Sequence, residues 1–342
     1  MTELIVTNFN RNFTGVSATA AGVVRVQAGR YDMALSDVAL PGCPAPVSRA
    51  EARRLSRSPG ARPFTIWHVR RNSEMRAALW ARDVLRLPVR IVFTSAAQRR
   101  HSALPRWLIS RMDAVIATTD AAGELVPHLH AVVPHGVDCD RFAPAPDRAA
   151  AWRATGYPGA RGIATIGRIR PEKGTDRFVA TMLEVLPRHP DLTALVIGRA
   201  AKADMAFLDR LKAQVAGAGL AGRLLFVGEI APGDLRGLLP ALSLIVQLPR
   251  YEGYGMVPLE GMACGVPFVA ADAGHYAEFS AQGRAGIVTG DAVGAVSGLL
   301  DDPARHAAMA RAAREVATGH YSVVREADGI GAVYEALWSE GR

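Results

Sequence analysis

The chain has 342 residues, 49% hydrophobic and 21% charged, with 40 Lys+Arg against 32 Asp+Glu and a formal net charge of +8. That length suggests about two domains, and the composition excludes a disordered chain, a collagen-like fibre and a disulfide scaffold. The charge is uneven: residues 1–150 carry 20 basic and 12 acidic side chains, residues 151–342 carry 20 of each, and residues 49–111 hold 15 Arg against Glu51, Glu74 and Asp83.

Short β-rich runs alternate with helical patterns from the start. Leu4–Thr7 reads as a strand, and Thr14 and Gly15 open a helix to about Ala28. Residues 41–63 are rich in Pro and read as loop with one short Arg-rich helix. Strands follow at Phe64–Trp67, Ile91–Phe93, Ala114–Ala117 and Ala131–Val133, with a helix over Glu74–Arg86 between them. Pro and Gly cluster around 142–161 as a linker. A second β-α series then runs through strands at Ile163–Ile166, Leu195–Ile197, Leu224–Val227, Leu244–Gln247, Phe268–Ala270 and Gly286–Val288. Its helices are Asp176–Leu186, Ala203–Ala216, Leu235–Leu239 and Leu259–Ala263, and two more, at about 303–318 and 323–338, finish the chain. Such alternation predicts an α/β protein of two doubly wound parallel sheets, with ligands at the carboxyl ends of strands and hence in the cleft between two facing domains.

The odd count of cysteines, Cys43, Cys139 and Cys264, has no C-x-x-C spacing and suits reduced thiols in a cytoplasm. No apolar run approaches the roughly 18 residues of a membrane span, and the N-terminus lacks the basic start of a secretory signal.

Three segments could carry chemistry. The first, G-R-I-R-P-E-K-G at 167–174, lies between a predicted strand and a predicted helix. Arg168 offers a planar fork and Lys173 a point charge beside a helix N-terminus, which together suit a diphosphate. Alone, the segment reads as a solvated basic loop. The second is R-Y-E-G-Y-G-M-V-P-L-E-G-M-A-C-G at 250–265. Its turn frees the backbone of Gly253, Tyr254, Gly255, Met256 and Val257, and Glu252 and Glu260 can accept paired bonds from vicinal hydroxyls. Surface charge for Glu252 and dipole stabilisation for Glu260 are the plainer readings. The third, H-G-V-D-C-D-R-F at 135–142, reads alone as a hinge. Asp138 and Asp140 have D-x-D spacing but fall in that hinge, so no metal site is expected.

Together and in this order, the three segments resemble the family-4 retaining glycosyltransferases of the GT-B fold. That family carries G-R-L-x-x-E-K-G and E-x7-E segments; here Ile169 replaces Leu and Gly261 replaces Ala. The resemblance implies that Arg168 and Lys173 hold the donor diphosphate and that Glu252 bonds a hexose hydroxyl. It further implies that residues 253–257 hold sugar and phosphates and that Glu260 holds the ribose diol. Gly15 would let backbone approach the donor, and Ile230 would pack the base. Domains are expected at 1–145 and 146–322, with the helix at about 323–342 packing back on the first. T-G-V-S-A-T at 14–19, I-W-H-V-R-R-N-S-E-M at 66–75 and I-V-F-T-S-A-A-Q-R-R-H-S at 91–102 are similar to bacterial lipopolysaccharide core mannosyltransferases. These imply GDP-mannose as co-substrate without a metal cofactor, and an acceptor built on Kdo and lipid A.

Relatives place a His near the reacting sugar. His68 is the first choice, with an ordinary packed histidine the other reading; Ser95 or Ala96 stands where that His is otherwise expected, and His101 lies seven residues past Thr94. Arg70 and Arg71 are the candidates to meet acceptor carboxylates or phosphates. The Arg excess of 49–111 suggests an anionic lipid-linked acceptor and a peripheral position on the inner membrane surface. Two other classes fit less well. Nucleic-acid binding lacks a recognised motif and interleaved stacking aromatics. A nicotinamide-dependent oxidoreductase lacks G-x-G-x-x-G. A UDP-hexose donor is the alternative within the family.

Overall fold

The structure is a computed structural model describing residues 2–12, 14–97 and 99–341. The chain forms two compact units, residues 1–136 with 321–342, and residues 137–320.

The first unit is built on β1 (Leu4–Asn8), β2 (Met33–Asp37), β3 (Thr65–Val69), β4 (Val89–Ser95), β5 (Ala114–Ala117) and β6 (Ala131–Val132). All pairs are parallel, in the order β2-β1-β3-β4-β5-β6. The direction of winding therefore reverses between β1 and β3. Sequence reading missed β2, whose Met33–Asp37 stretch is short, partly polar and at the sheet edge. It also extended one helix too far: Asn72–Leu79 is α-helical, but Trp80–Val84 widens into a π turn.

The final helix, Val323–Glu340, covers one face of this sheet. Its Val323, Ala327, Ile330, Tyr334 and Trp338 share a core with Leu4, Val6, Leu35 and Ile66. Polar groups fix the helix in register. Trp338 Nε1 donates to Phe64 O at 3.1 Å, and the buried Glu326 carboxylate accepts the Gly136 N–H at 2.8 Å and contacts His135 Nδ1 at 2.8 Å.

The second unit contains β7 (Arg161–Ile166), β8 (Leu192–Ile197), β9 (Leu224–Gly228), β10 (Leu244–Gln247), β11 (Phe268–Ala270) and β12 (Gly286–Val288). These are parallel in the order β12-β11-β10-β7-β8-β9, so winding reverses between β7 and β10. Ile163, Phe178, Met182, Val196, Leu244 and Val269 centre its core. The boundary falls at 136/137 rather than 145/146 because the residues after Gly136 are tied into this unit. Arg314 Nη1 donates to the carbonyls of Cys139 at 3.1 Å, Phe142 at 2.9 Å and Ala263 at 2.5 Å.

Removing a carboxylate that satisfies a buried N–H leaves that donor without a partner. Glu326→Ala should therefore destabilise the first unit by about 3 kcal/mol. Urea unfolding followed by tryptophan fluorescence measures this, and a loss below about 1 kcal/mol would show that Glu326 does not hold the final helix.

Candidate active site

In an open parallel sheet, loops from the two strands at a winding reversal diverge and leave a crevice. In the second unit those strands are β7 and β10, and the loops are the two charged motifs. Residues 167–174 follow β7, and residues 248–255 follow β10. Two glycines make their close approach possible. Gly174 has φ +69°, and a Cβ there would fall 1.8 Å from Leu248 O; Gly255 has φ +101°, and a Cβ would fall 2.1 Å from the Tyr276 ring. Arg250 fastens the loops, donating to both Asp176 oxygens at 2.8 and 2.6 Å and from its backbone to Glu172 O at 2.9 Å.

Lys173 and Glu252 meet across this crevice, Nζ to Oε2, at 2.7 Å. Glu252 also accepts the Gly253 N–H at 2.9 Å and the Tyr276 hydroxyl at 3.4 Å. Burial, then the Glu252 charge, pushes the Tyr276 hydroxyl well above its ordinary range, so it remains a donor. Arg168 stands exposed, without a hydrogen-bond or ion-pair partner among the described residues. The helices Thr175–Val185 and Met256–Ala263 both begin at this edge, and neither has a side-chain N-cap. The first amides and positive dipole end of Met256–Ala263 are available to an anion, whereas Thr175–Val185 already carries the Asp176 carboxylate, held by Arg250, in its first turn.

Glu260 lies in the helix Met256–Ala263, half-buried, and its carboxyl has no hydrogen-bond partner among the described residues. Burial alone pushes its carboxyl up to about 7. An acid raised by desolvation gains most from hydroxyls that hydrogen-bond its charged form. Ile230 is half-buried in the loop after β9, at the same carboxyl edge. The second unit thus brings together Arg168, Lys173, Glu252, residues 253–257, Glu260 and Ile230 on one sheet edge.

The first unit also has a crevice, between the loops after β1 and β3, but it is filled by its own side chains. Glu74 is fully buried and accepts from Thr7 Oγ1 at 3.1 Å, Phe9 N at 3.1 Å, Arg70 N at 2.8 Å and Arg71 Nη1 at 2.9 Å. Sequence reading missed Glu74. Its signal was an acid three residues after Arg71 in the one segment almost devoid of acids. Arg71 further donates to Asn8 Oδ1 at 3.1 Å and Ser17 Oγ at 3.0 Å. The expectation of two free acceptor cations is therefore corrected: Arg71 cross-links β1, β3 and the helix Gly15–Gln27. Arg70 differs. Its Nη1 is enclosed without a hydrogen-bond partner, and burial pulls its guanidinium below the ordinary range. Gly15 is exposed at the N-terminus of its helix, with open space where a side chain would be.

His68 is also corrected. It is 0% exposed, its Nδ1 meets the Tyr334 hydroxyl, and its Nε2 meets Thr94 Oγ1 at 2.7 Å. With both nitrogens engaged and burial holding it well below its ordinary pKa, it is a neutral core histidine. The Arg excess is likewise smaller than a local count suggests. Arg49 reaches Asp37, Arg62 reaches Glu3 and Glu335, and Arg82 and Arg90 reach Asp113, all acids outside residues 49–111; Arg82 also pairs with Asp83 inside them.

Comparison with known proteins identifies the family and the fold. Residues 156–316 match the model for glycosyl transferases group 1. The lipopolysaccharide core biosynthesis mannosyltransferase LpcC of Rhizobium leguminosarum bv. viciae is 40% identical, over 99% of this chain and 98% of its own. LpsB of Rhizobium meliloti (strain 1021), of the same description, is 40% identical over 98% and 97%. Among solved structures, HepE of Anabaena with UDP and glucose matches with TM-score 0.79 over 98% of this chain and 100% of its own, at 18% identity, which speaks to the fold alone. The C-terminal domain of LpcC from Francisella tularensis matches 55% of this chain and 99% of its own at 31% identity and TM-score 0.53. The two parallel sheets are those of the GT-B fold, and the chain belongs to the group 1 glycosyltransferases, in the family of the lipopolysaccharide core mannosyltransferases.

Proposed function

We propose that the protein transfers mannose from GDP-mannose, with retention at the anomeric carbon, to an anionic lipid-linked saccharide such as the Kdo and lipid A inner core. The observation that carries this reading is 40% identity to two lipopolysaccharide core mannosyltransferases over nearly the whole chain. The reaction takes place at the inner face of the cytoplasmic membrane; among the described residues no helix is long and apolar enough to cross one.

The chemistry asks for little beyond positioning and charge stabilisation. The bond from the anomeric carbon to the diphosphate breaks as the acceptor oxygen bonds that carbon on the same face. The departing phosphate oxygen takes the acceptor's proton. Arg168 and Lys173 stabilise the charge that builds on the diphosphate, a task that needs no metal. The backbone at 253–257 binds sugar and phosphate, and Glu252 orients a mannose hydroxyl. Glu260 accepts from the ribose diol, and Ile230 packs against the base. Arg70, whose enclosed Nη1 has no hydrogen-bond partner among the described residues, meets an acceptor carboxylate or phosphate.

A thermal-shift series with GDP-mannose, UDP-glucose and ADP-glucose tests the donor. GDP-mannose should stabilise most, in proportion to its concentration over Kd; stabilisation by UDP-glucose alone overturns the assignment. Lys173→Ala and Glu252→Ala should each lower kcat by about 100- to 1000-fold. Because the two side chains are paired, the double variant should lose much less than the product of the singles. Singles that retain wild-type kcat would displace the reaction from this crevice.

Glu260 predicts a pH dependence. Its folded value of about 7 lies above the ordinary 4.5, so the empty fold holds a proton that the unfolded chain releases. Stability of the empty protein should fall as pH rises between those values. Donor binding needs the ionised form, so affinity should rise in the opposite sense, about ten-fold from pH 6 to pH 8. Glu260→Gln should stabilise the empty protein at pH 8 by about 2 kcal/mol while weakening donor binding and flattening its pH profile. Calorimetry at both pH values measures this, and an unchanged profile in the variant would remove Glu260 from the site.

A further inference from the structure

Large apolar side chains on a soluble surface are usually scattered. In the first unit they gather on two helices that pack together, Asn72–Leu79 with its π turn and Ala103–Ser110. Trp80 is 45% exposed, Val84 62%, Leu85 39%, Leu104 58% and Trp107 57%. The π turn helps to produce this. The buried face runs Met75, Ala78, Leu79 and then Ala81, and the extra residue leaves Trp80, Val84 and Leu85 outside. Leu104 and Trp107 lie three apart on the outer face of their helix, while Leu108 and Ile109 are buried. Between the helices is an open groove of about 590 Å³, whose lining includes Trp80, Val84 and Trp107.

The rim of the groove is cationic. Arg53 lies 5.1 Å over the Trp80 ring, and exposed Arg76 lines the groove without a carboxylate partner among the described residues. Asp83 is the one acid in the lining, and it is held by Arg82 at 2.7 Å and Arg111 at 3.3 Å. Indole rings beside arginines whose stems can lie along apolar surface suit the headgroup layer of a membrane. Each arginine near an anionic surface adds to the attraction. A second copy of the chain fits poorly, because a two-fold interface would set this arginine rim against itself.

We propose that the groove between these helices is a docking surface for a bilayer rich in anionic lipid. The helix Asn72–Leu79 starts beside Arg70 and Arg71 and ends at Trp80, about 12 Å further along. Docking there would bring a lipid-anchored acceptor near Arg70, a consequence that rests on the proposed function, whereas the docking itself does not.

The test uses the full chain with vesicles of phosphatidylcholine alone or with phosphatidylglycerol, and no donor or acceptor. Trp67, Trp152 and Trp338 are 2% exposed or less, so a blue shift on binding reports Trp80 and Trp107. Wild type should co-sediment with the anionic vesicles and shift, and added salt should weaken binding. Trp80→Gln with Trp107→Gln should lower partitioning about ten-fold or more, as should Arg53→Gln with Arg76→Gln, all with unchanged melting and unchanged GDP-mannose binding. No preference for anionic vesicles, full binding by the variants, or a concentration-dependent dimer broken by the tryptophan changes would each overturn the proposal. Failure here with GDP-mannose binding intact leaves the proposed function standing, and the converse result leaves the surface standing.

Discussion

Winding reverses once in the second sheet, between β7 and β10, and the Lys173–Glu252 ion pair closes the gap that the reversal opens. Both partners come from loops whose backbone paths are dictated by steric limits: Gly174 against Leu248 O, and Gly255 against the Tyr276 ring. Each side chain is held by the other, and the Gly253 amide and Tyr276 hydroxyl also donate to the carboxylate. An incoming diphosphate and a sugar hydroxyl would replace those contacts like for like, cation to phosphate and carboxylate to hydroxyl. The crevice is thus organised before a ligand arrives, which limits the reorganisation that transition-state stabilisation would otherwise require.

The first sheet has the same topological opportunity and uses it differently. At its reversal, between β1 and β3, the central group is a buried acid, Glu74, that receives four donors from the protein itself. Arg71 completes that network. A fully satisfied buried network rigidifies its surroundings and has little left to offer a ligand. Among the described residues, the second crevice leaves the Arg168 guanidinium, the Glu260 carboxyl and the uncapped start of Met256–Ala263 without partners. Polar groups left without partners in an ordered crevice are where a fold retains binding capacity.

Which parts of this were readable in the sequence follows from the range of the interactions involved. The strands of the second sheet were legible because each is a short apolar run bounded by turn residues, and the charged loops sit directly after two of them. Their adjacency was not legible, since 79 residues separate Lys173 from Glu252; the resemblance supplied it. In the first unit, short-range reading misled. His68 looked available at a strand end, but Tyr334, 266 residues on, occupies one of its nitrogens. The arginines of 49–111 looked unbalanced, but Glu3, Asp37, Asp113 and Glu335 fold in from outside to meet several of them. Met33–Asp37 was missed as a strand because its pairing partner, β1, supplies the order that its own sequence only weakly favours.

The same comparison separates structural from functional candidates on physical grounds. His68, Arg71 and Glu74 are fully partnered, and their removal would be felt first as lost stability. Glu260 is the reverse: an acid held half-buried with nothing to bond raises the free energy of the empty fold, and hydroxyls from a ligand can recover that cost. Arg70 belongs with Glu260 in this respect, as an enclosed guanidinium with an unbonded nitrogen. One is an acid and the other a guanidinium, one in each unit. In the proposed reaction, a donor that offers hydroxyls would complement the first of these groups, and an acceptor that offers anions the second.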